Sequence, residues 1–306
     1  MKIFAKLFTS EPSRSYLALH FSVLLFGFTA VFGAMLPLSS IPLVWWRIFL
    51  TVGSLLLFSR IRALLRTLPL RLLLVILGTG LVTGLHWITF YESIKQSNAS
   101  VGVMAMALTP LFTAFLEPIV QQRRIAPAEV IFALAILPGM FLLSGSLPKA
   151  YLSGFVLGLF SAFLASVFST LNQKIILLSD AITITCLELG SALVLLTLVM
   201  PMWIQTNPKA VFFPSGYREW GILLFLALAC TSLAYSLTLH AMKRVSAFTA
   251  NLSMTLEPLY GVLLAAWLLG EHRMLSPGFY GGSALILGSV VGFTYLKRAQ
   301  KNNPGD

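Results

Sequence analysis

The chain is poor in charge. Only 10% of its 306 residues are Asp, Glu, Lys or Arg, where a soluble domain carries about a quarter. A soluble protein of this size needs polar groups to cover the surface it still exposes. Soluble enzymes, nucleic-acid modules and disordered chains are therefore excluded. Cysteine is nearly absent. Cys186 and Cys230 both fall inside apolar stretches, where they read as small core residues rather than a disulfide framework or metal ligands. The four histidines are scattered. H-E-x-x-H, G-x-S-x-G and the phosphate-cradling G-x-x-x-x-G-K-[ST] are all missing. No metal, no cofactor, no catalysis and no ATP-driven pumping by this chain alone are expected.

Apolar sequence is abundant instead: 58% of residues are hydrophobic and the mean hydropathy is +0.88. A membrane-spanning helix needs about 20 mostly apolar residues. Ten stretches qualify, at 15–36, 41–59, 72–91, 99–118, 128–144, 154–173, 181–200, 219–239, 246–269 and 276–296. The expected fold is an all-α integral membrane protein of ten transmembrane helices, with no room for a separate soluble domain. The first stretch is too long for a typical signal peptide and reads as an uncleaved span.

The net charge of +11 is not arranged in basic runs with interleaved aromatics, so no nucleic-acid partner is expected. The basic residues cluster between the apolar stretches. Fifteen fall on one set of ends: Lys2, Lys6 and Arg14, the group from Arg60 to Arg71, Arg123 and Arg124, Lys174, Lys243 and Arg244, and the group from Lys297 to Lys301. The opposite ends carry five, and Arg47 lies inside the second stretch. By the positive-inside rule both termini are cytoplasmic.

The segment Phe90–Leu111 aligns without gaps to Thr238–Leu259, with identities at Lys95/Lys243, Ala99/Ala247, Met106/Met254, Leu108/Leu256, Pro110/Pro258 and Leu111/Leu259. Each segment covers the third-to-fourth junction of a five-span half. A unit with an odd number of spans, repeated in tandem, enters the membrane in opposite senses. The chain therefore reads as two inverted five-helix repeats, residues 1–145 and 146–306, an arrangement typical of secondary transporters with a midplane site between the halves. Leu116-Glu117-Pro118 resembles Leu256-Glu257-Pro258 but is eight residues out of register and is read as a coincidence, and Glu117, with Arg123 and Arg124, is read as a solvated helix end.

These spans and junctions resemble the drug/metabolite transporter superfamily, specifically its EamA-type branch, over essentially the whole chain. The residues carrying the resemblance are Phe26-Gly27-Phe28-Thr29, Pro42 with Arg47, Ser93-Ile94-Lys95 into Ala99 and Pro110, and Glu257-Pro258 followed by Gly270-Glu271. The position matching Glu271 in the first half is Arg123, so the terminal Gly-Glu pair is kept in the second half alone. The resemblance implies a bacterial inner-membrane carrier of small metabolites, often an exporter of amino acids or related compounds. It also implies a second span packed outside the central cavity.

Ionisable groups at membrane depth are costly and mark function or an internal ion pair. Arg47 and Glu188 superpose when the second and seventh spans are matched, and are candidates either for a substrate carboxylate and amine or for a structural bridge between the halves. Glu257, halfway along the ninth span, is a candidate for a cationic group or a proton. His86, Trp87 and Tyr91 on the third span and Asn251 on the ninth are candidate substrate contacts, with interfacial anchoring the alternative for Tyr91. Asn172 reads as a boundary residue. Pro110 and Pro258 are candidate bending points for gating. Gly27, Gly33, Gly102, Gly154 and Gly158 read as close helix-packing points, and Gly154-x-x-x-Gly158 also as a dimerisation pattern.

The expected function is secondary-active transport by alternating access, with a small-molecule substrate, the lipid bilayer, and protons or a counter-substrate as partners, in a monomer or homodimer. A passive channel or facilitator is the alternative. A membrane-embedded lipid-modifying enzyme is a more remote one.

Overall fold

The structure, a computed structural model, describes residues 11–302. Among them every regular element is helical. Lys2 and Lys6, used above for orientation, lie outside the described residues. In chain order the helices are α1 (Glu11–Met35), α2 (Ser40–Leu56), α3 (Ile61–Thr67), α4 (Leu70–Gln96), α5 (Ala99–Ala105), α6 (Thr109–Gln121), α7 (Pro127–Leu134) and α8 (Leu137–Gly145). There follow α9 (Leu152–Ile175), α10 (Ala181–Thr206), α11 (Tyr217–Ala227), α12 (Ala234–Met242), α13 (Ala247–Met254), α14 (Glu257–Leu268) and α15 (Pro277–Asn302).

Seven helical stretches are long and apolar enough to cross a membrane, and α2 with α3, bent by 85° at their junction, makes an eighth if the two count as one. The stretch expected at 246–269 is divided: α13 has 8 residues and α14 has 12, with Thr255 and Leu256 between them. The proline at the start of α14 lacks the N–H that would continue the helix. Leu57, Phe141, Leu198 and Trp267 point outward and are highly exposed. In water such a surface would be unfavourable, but against hydrocarbon it is the expected outer face, since the helices satisfy their own backbone groups.

The main packing partners are α9 on α4, α10 on α4 and α2, α15 on α8, α12 and α14 on α1, and α6 on α9 and α13. Numbering the rods as ten segments (α2 with α3, α5 with α6, α7 with α8, α11 with α12, and α13 with α14 as single segments) reveals a regularity. Segment 3 packs on 6 as 8 packs on 1, 4 on 6 as 9 on 1, and 3 on 7 as 8 on 2.

Glycines set the closest approaches. A Cβ on Gly80 would collide with the Glu188 backbone carbonyl, and one on Gly84 would lie 2.9 Å from Ala192 Cβ, so α4 rests almost backbone to backbone on α10. The Gly154-x-x-x-Gly158 stripe is used inside the chain. Virtual Cβ atoms there would lie 2.7 Å from Ser93 O and 2.6 Å from Ala105 Cβ. The pattern packs α9 on α4 and α5, which leaves those two glycines no free face for a second copy.

Helix ends buried in a membrane protein need partners for their orphan N–H and C=O groups. Lys95 Nζ donates to the Gly33 and Leu36 carbonyls at the end of α1, and its aligned mate Lys243 donates to Ser179 O beyond the end of α9. Asn98 caps α5 by accepting from Val101 N at 2.8 Å, and Ser246 caps α13 by accepting from Thr249 N at 3.1 Å. Three further donors at these two starts go to distant acids. Glu271 accepts from Ala99 N and Ser100 N at 3.0 and 2.9 Å, and Glu117 accepts from Phe248 N at 2.6 Å. The reading of Glu117 as a solvated end is therefore corrected: its side chain is 2% exposed and also meets Arg123 Nη2 at 3.6 Å.

Gly80→Ala is expected to destabilise the detergent-solubilised protein by about 1–3 kcal/mol, the usual effect of overpacking. Gly53→Ala is the control, because a Cβ there meets nothing within 4 Å. Thermal unfolding of the two variants beside the parent checks this. Equal midpoints would contradict the close α4–α10 contact.

Candidate functional site

A cavity of about 100 Å³ lies in the middle of the helical assembly, with walls supplied by α1, α2, α4, α6, α9, α12, α13 and α14. Its surface is mostly aromatic and aliphatic, including Phe26, Phe90, Phe168, Met106 and Met254. Of the sequence candidates, Arg47, His86, Trp87, Asn251 and Glu257 line it.

Arg47 sits on α2 and is 2% exposed. Its fork is held on three sides: Nε donates to Thr231 Oγ1 at 2.6 Å, Nη1 to Tyr91 Oη at 2.7 Å and Nη2 to Cys230 O at 3.2 Å. Cζ lies 4.3 Å from the centre of the Trp87 ring, a cation–π contact that favours the charge in a dry setting. Two of these acceptors exist because the helix between α11 and α12 widens into a π-turn at Leu228–Leu233. Such turns leave carbonyls off the regular ladder and recur at functional sites. Thr231 Oγ1 spends its own proton on Leu226 O at 2.8 Å, so it faces Arg47 as an acceptor. No carboxylate forms an ion pair with Arg47 among the described residues.

Glu257, the first residue of α14, also faces the cavity. It makes no hydrogen bond among the described residues, and Arg47 is the charge that acts on it. Arg47 and Glu257 therefore share the cavity without forming an ion pair. Asn251 Nδ2 donates to Thr113 Oγ1 and Ser169 Oγ at 2.8 and 2.7 Å, tying α13 to α6 and α9. His86 Nδ1 lies 2.8 Å from Ser161 Oγ and 3.0 Å from Ser161 O, so it both packs α4 on α9 and forms part of the wall. Thr29 Oγ1, Thr238 Oγ1 and Asn172 Oδ1 belong to residues of the wall and have no hydrogen-bond partner.

Other expectations are corrected. Arg47 and Glu188 are not bonded to each other. Glu188, 0% exposed, instead accepts from Tyr235 Oη at 2.9 Å. Tyr91 is not part of the wall and is not interfacial: it is fully buried and serves Arg47. Asn172 is no boundary residue but a buried wall residue whose Nδ2 donates to Tyr235 Oη at 2.8 Å. Thr231 and Tyr235 were missed. The signal for them was the group of hydroxyl residues Thr231, Ser232, Tyr235, Ser236 and Thr238 in the eighth span, and hydropathy does not assign hydroxyls a partner. Among the described residues no three His, Cys, Asp or Glu side chains cluster to hold a metal.

The model of the EamA-like transporter family matches residues 13–145 and 152–295. The chain belongs to the EamA-like transporter family. It is 25% identical over 215 residues to the uncharacterized transporter YwfM of Bacillus subtilis (strain 168), covering 69% of this chain and 70% of that protein. A crystal structure of a protein 20% identical in sequence superposes with a TM-score of 0.68, covering 94% of this chain and 98% of that one, which shows the shared fold. The protein is thus a multi-pass membrane protein of a transporter family, for which a small-molecule substrate and the bilayer are the partners. In this EamA-like transporter the second segment is not excluded from the cavity, because Arg47 reaches it from α2.

Tyr91→Phe and Thr231→Val each remove one acceptor from a buried guanidinium. Each is expected to lower stability by about 1–3 kcal/mol, the usual result of stranding a buried donor. Thermal unfolding followed by tryptophan fluorescence checks this, and unchanged midpoints would mean that Arg47 does not depend on these partners.

Proposed function

We propose that this EamA-like transporter is a secondary-active carrier of small zwitterionic metabolites, amino acids or close relatives. It works by alternating access as an exporter in a bacterial inner membrane. The observation that carries the reading is the presence, in one apolar cavity, of a buried Arg47 without an ion-pair partner and a Glu257 without a hydrogen bond. An uncompensated cation in a membrane interior is costly, and a planar guanidinium matches a carboxylate. Glu257 suits the ammonium group of the same solute. The aromatic and methionine wall suits its apolar body, and the unpartnered oxygens of Thr29, Thr238 and Asn172 suit its remaining polar atoms or bound water.

The proposed frame is ten spans in two inverted five-helix repeats, residues 1–145 and 146–306, with both termini cytoplasmic. The family match in two stretches supports the division. The packing pattern, unchanged when the halves are exchanged, supports the symmetry. So do the matched duties of Lys95 and Lys243, Asn98 and Ser246, and Glu271 and Glu117. The contacts Arg47–Trp87 and Glu188–Tyr235 are likewise mates, since the second and third spans map onto the seventh and eighth. The halves bend at matching places. The 3₁₀ turn Met106–Leu108 precedes Thr109-Pro110, and the break at Thr255 and Leu256 precedes Glu257-Pro258. Pro110 and Pro258 thus provide hinges beside the cavity, through which one side opens as the other closes.

Purified protein in liposomes loaded with amino acids, organic acids, nucleosides and quaternary amines tests this. Mass spectrometry should find one class leaving faster than from protein-free vesicles. Glu257→Gln should slow that class by about 10–100-fold, the loss of one charge-assisted contact worth ~1.5–3 kcal/mol. Uniform leakage of every small solute would identify a passive channel instead. No selective efflux would overturn the carrier reading.

A further inference from the structure

Glu188 on α10 is fully buried. Its hydrogen bonds do not balance for a carboxylate. Tyr235 has one hydroxyl proton and gives it to Glu188 Oε2. Asn172 must then turn its NH₂ toward Tyr235 Oη, as it does at 2.8 Å. That leaves Asn172 Oδ1 without a donor, and Glu188 Oε1 has none either. Two buried acceptors, one on each residue bonded to Tyr235 Oη, thus lack a donor, and a proton on Glu188 Oε1 turns the first of them into a donor. The general preference of a buried, cation-free carboxyl for its neutral form agrees with this accounting.

Among the described residues no cation forms an ion pair with Glu188. On α12, Tyr235 is the group facing Glu188. On α4, His86 is bonded to Ser161 and Tyr91 to Arg47. On α2, the guanidinium of Arg47 is bonded to Thr231, Tyr91 and Cys230. Arg60, before α3, and Arg62 and Arg66 within it are exposed, as is Lys174 near the end of α9. Gly80 brings the α4 backbone against α10 at this level. Tyr235 and Asn172 themselves line the cavity, so a single hydrogen-bonded link separates Glu188 from the solute.

We propose that Glu188 carries the coupled proton of a proton–solute antiport, exchanging it with cavity water through Asn172 and Tyr235. This rests on the carrier reading above and names its energy source. With the cavity open to the cytoplasm, the Glu188 Oε1–H bond breaks and the proton passes to water. The carboxylate left behind accepts from Tyr235 Oη–H and from the Asn172 NH₂ turned toward it. With the cavity open outward, Oε1 is reprotonated by water and Asn172 turns back. One proton enters for each solute exported. The mate of Glu188 in the other half is Arg47, so the two halves place a carboxyl and a guanidinium at corresponding positions.

Two measurements test the proposal. Infrared difference spectra of proteoliposomes at neutral pH, parent minus Glu188→Gln, should contain the C=O stretching band of a protonated carboxylic acid. Asn172→Leu should shift that band, and Glu257→Gln should leave it in place. Glu188→Asp should shift it too, which keeps the test valid if the Gln variant does not fold. Absence of the band overturns the protonated acid. In the second measurement, efflux of the amino-acid pool is followed with and without an inward proton gradient. The parent should accelerate at least about tenfold and acidify the lumen opposite to the solute's path, and Glu188→Gln should lose the acceleration. Acceleration that persists in Glu188→Gln overturns the coupling. If the parent exports no solute, the carrier reading and the antiport both fall, while the infrared band separately reports the proton on Glu188.

Discussion

A polar group inside a membrane protein must find its partner within the chain, since hydrocarbon offers none. The rest of this structure is arranged around that constraint. Its sharpest expression is at the starts of α5 and α13, where buried N–H groups are taken by acids from far along the chain: Glu271 for Ala99 and Ser100, Glu117 for Phe248. Each acid thereby holds the opening turn of a helix more than a hundred residues away along the chain. The rods that begin with α5 and α13 carry the breaks at Met106–Leu108 and Thr255–Leu256 and deliver Thr109, Asn251 and Glu257 to the cavity wall. The caps and the site are therefore mechanically continuous.

The same constraint explains how Arg47 is tolerated. Its charge is not cancelled by a carboxylate but spread over a hydroxyl, a phenol, a backbone carbonyl and an indole face. The π-turn at Leu228–Leu233 supplies both the carbonyl and the correctly turned Thr231. A guanidinium held this way is fixed in position yet still lacks an anion, which suits a binding residue better than a structural bridge. Glu188 on α10 is met instead by the Tyr235 phenol, to which the Asn172 amide in turn donates.

Much of the architecture was legible in the hydropathy, because a spanning helix must be apolar over its whole length and that leaves a long, simple signal. The alignment at Lys95/Lys243 likewise located two junctions whose caps, Asn98 and Ser246, do the same work. Partners were not legible. Glu117 looked like a solvated end because it stands among Gln121, Gln122 and Arg123, and its acceptor role depends on α13, more than a hundred residues later. Asn172 looked like a boundary residue because depth was judged along its own helix, while its burial comes from α12 beside it. Gly154 and Gly158 were equally ambiguous, since a small-residue stripe is the same whether a neighbour in the same chain or a second copy fills it.

From the order of residues alone the chain is recognisable as helical, membrane-embedded and similar to the EamA-like transporters. That order also determined which few ionisable residues enter the apolar interior. These follow from composition and period, which are local quantities. The tertiary structure alone decided that Arg47 and Glu188 part company, that Tyr91 serves Arg47 rather than the interface, and that Glu257 and Arg47 share one cavity. Those outcomes depend on which rod lies beside which and at what rotation. Close backbone contact at Gly80 and a single π-turn set that geometry, and neither has a hydropathy signature.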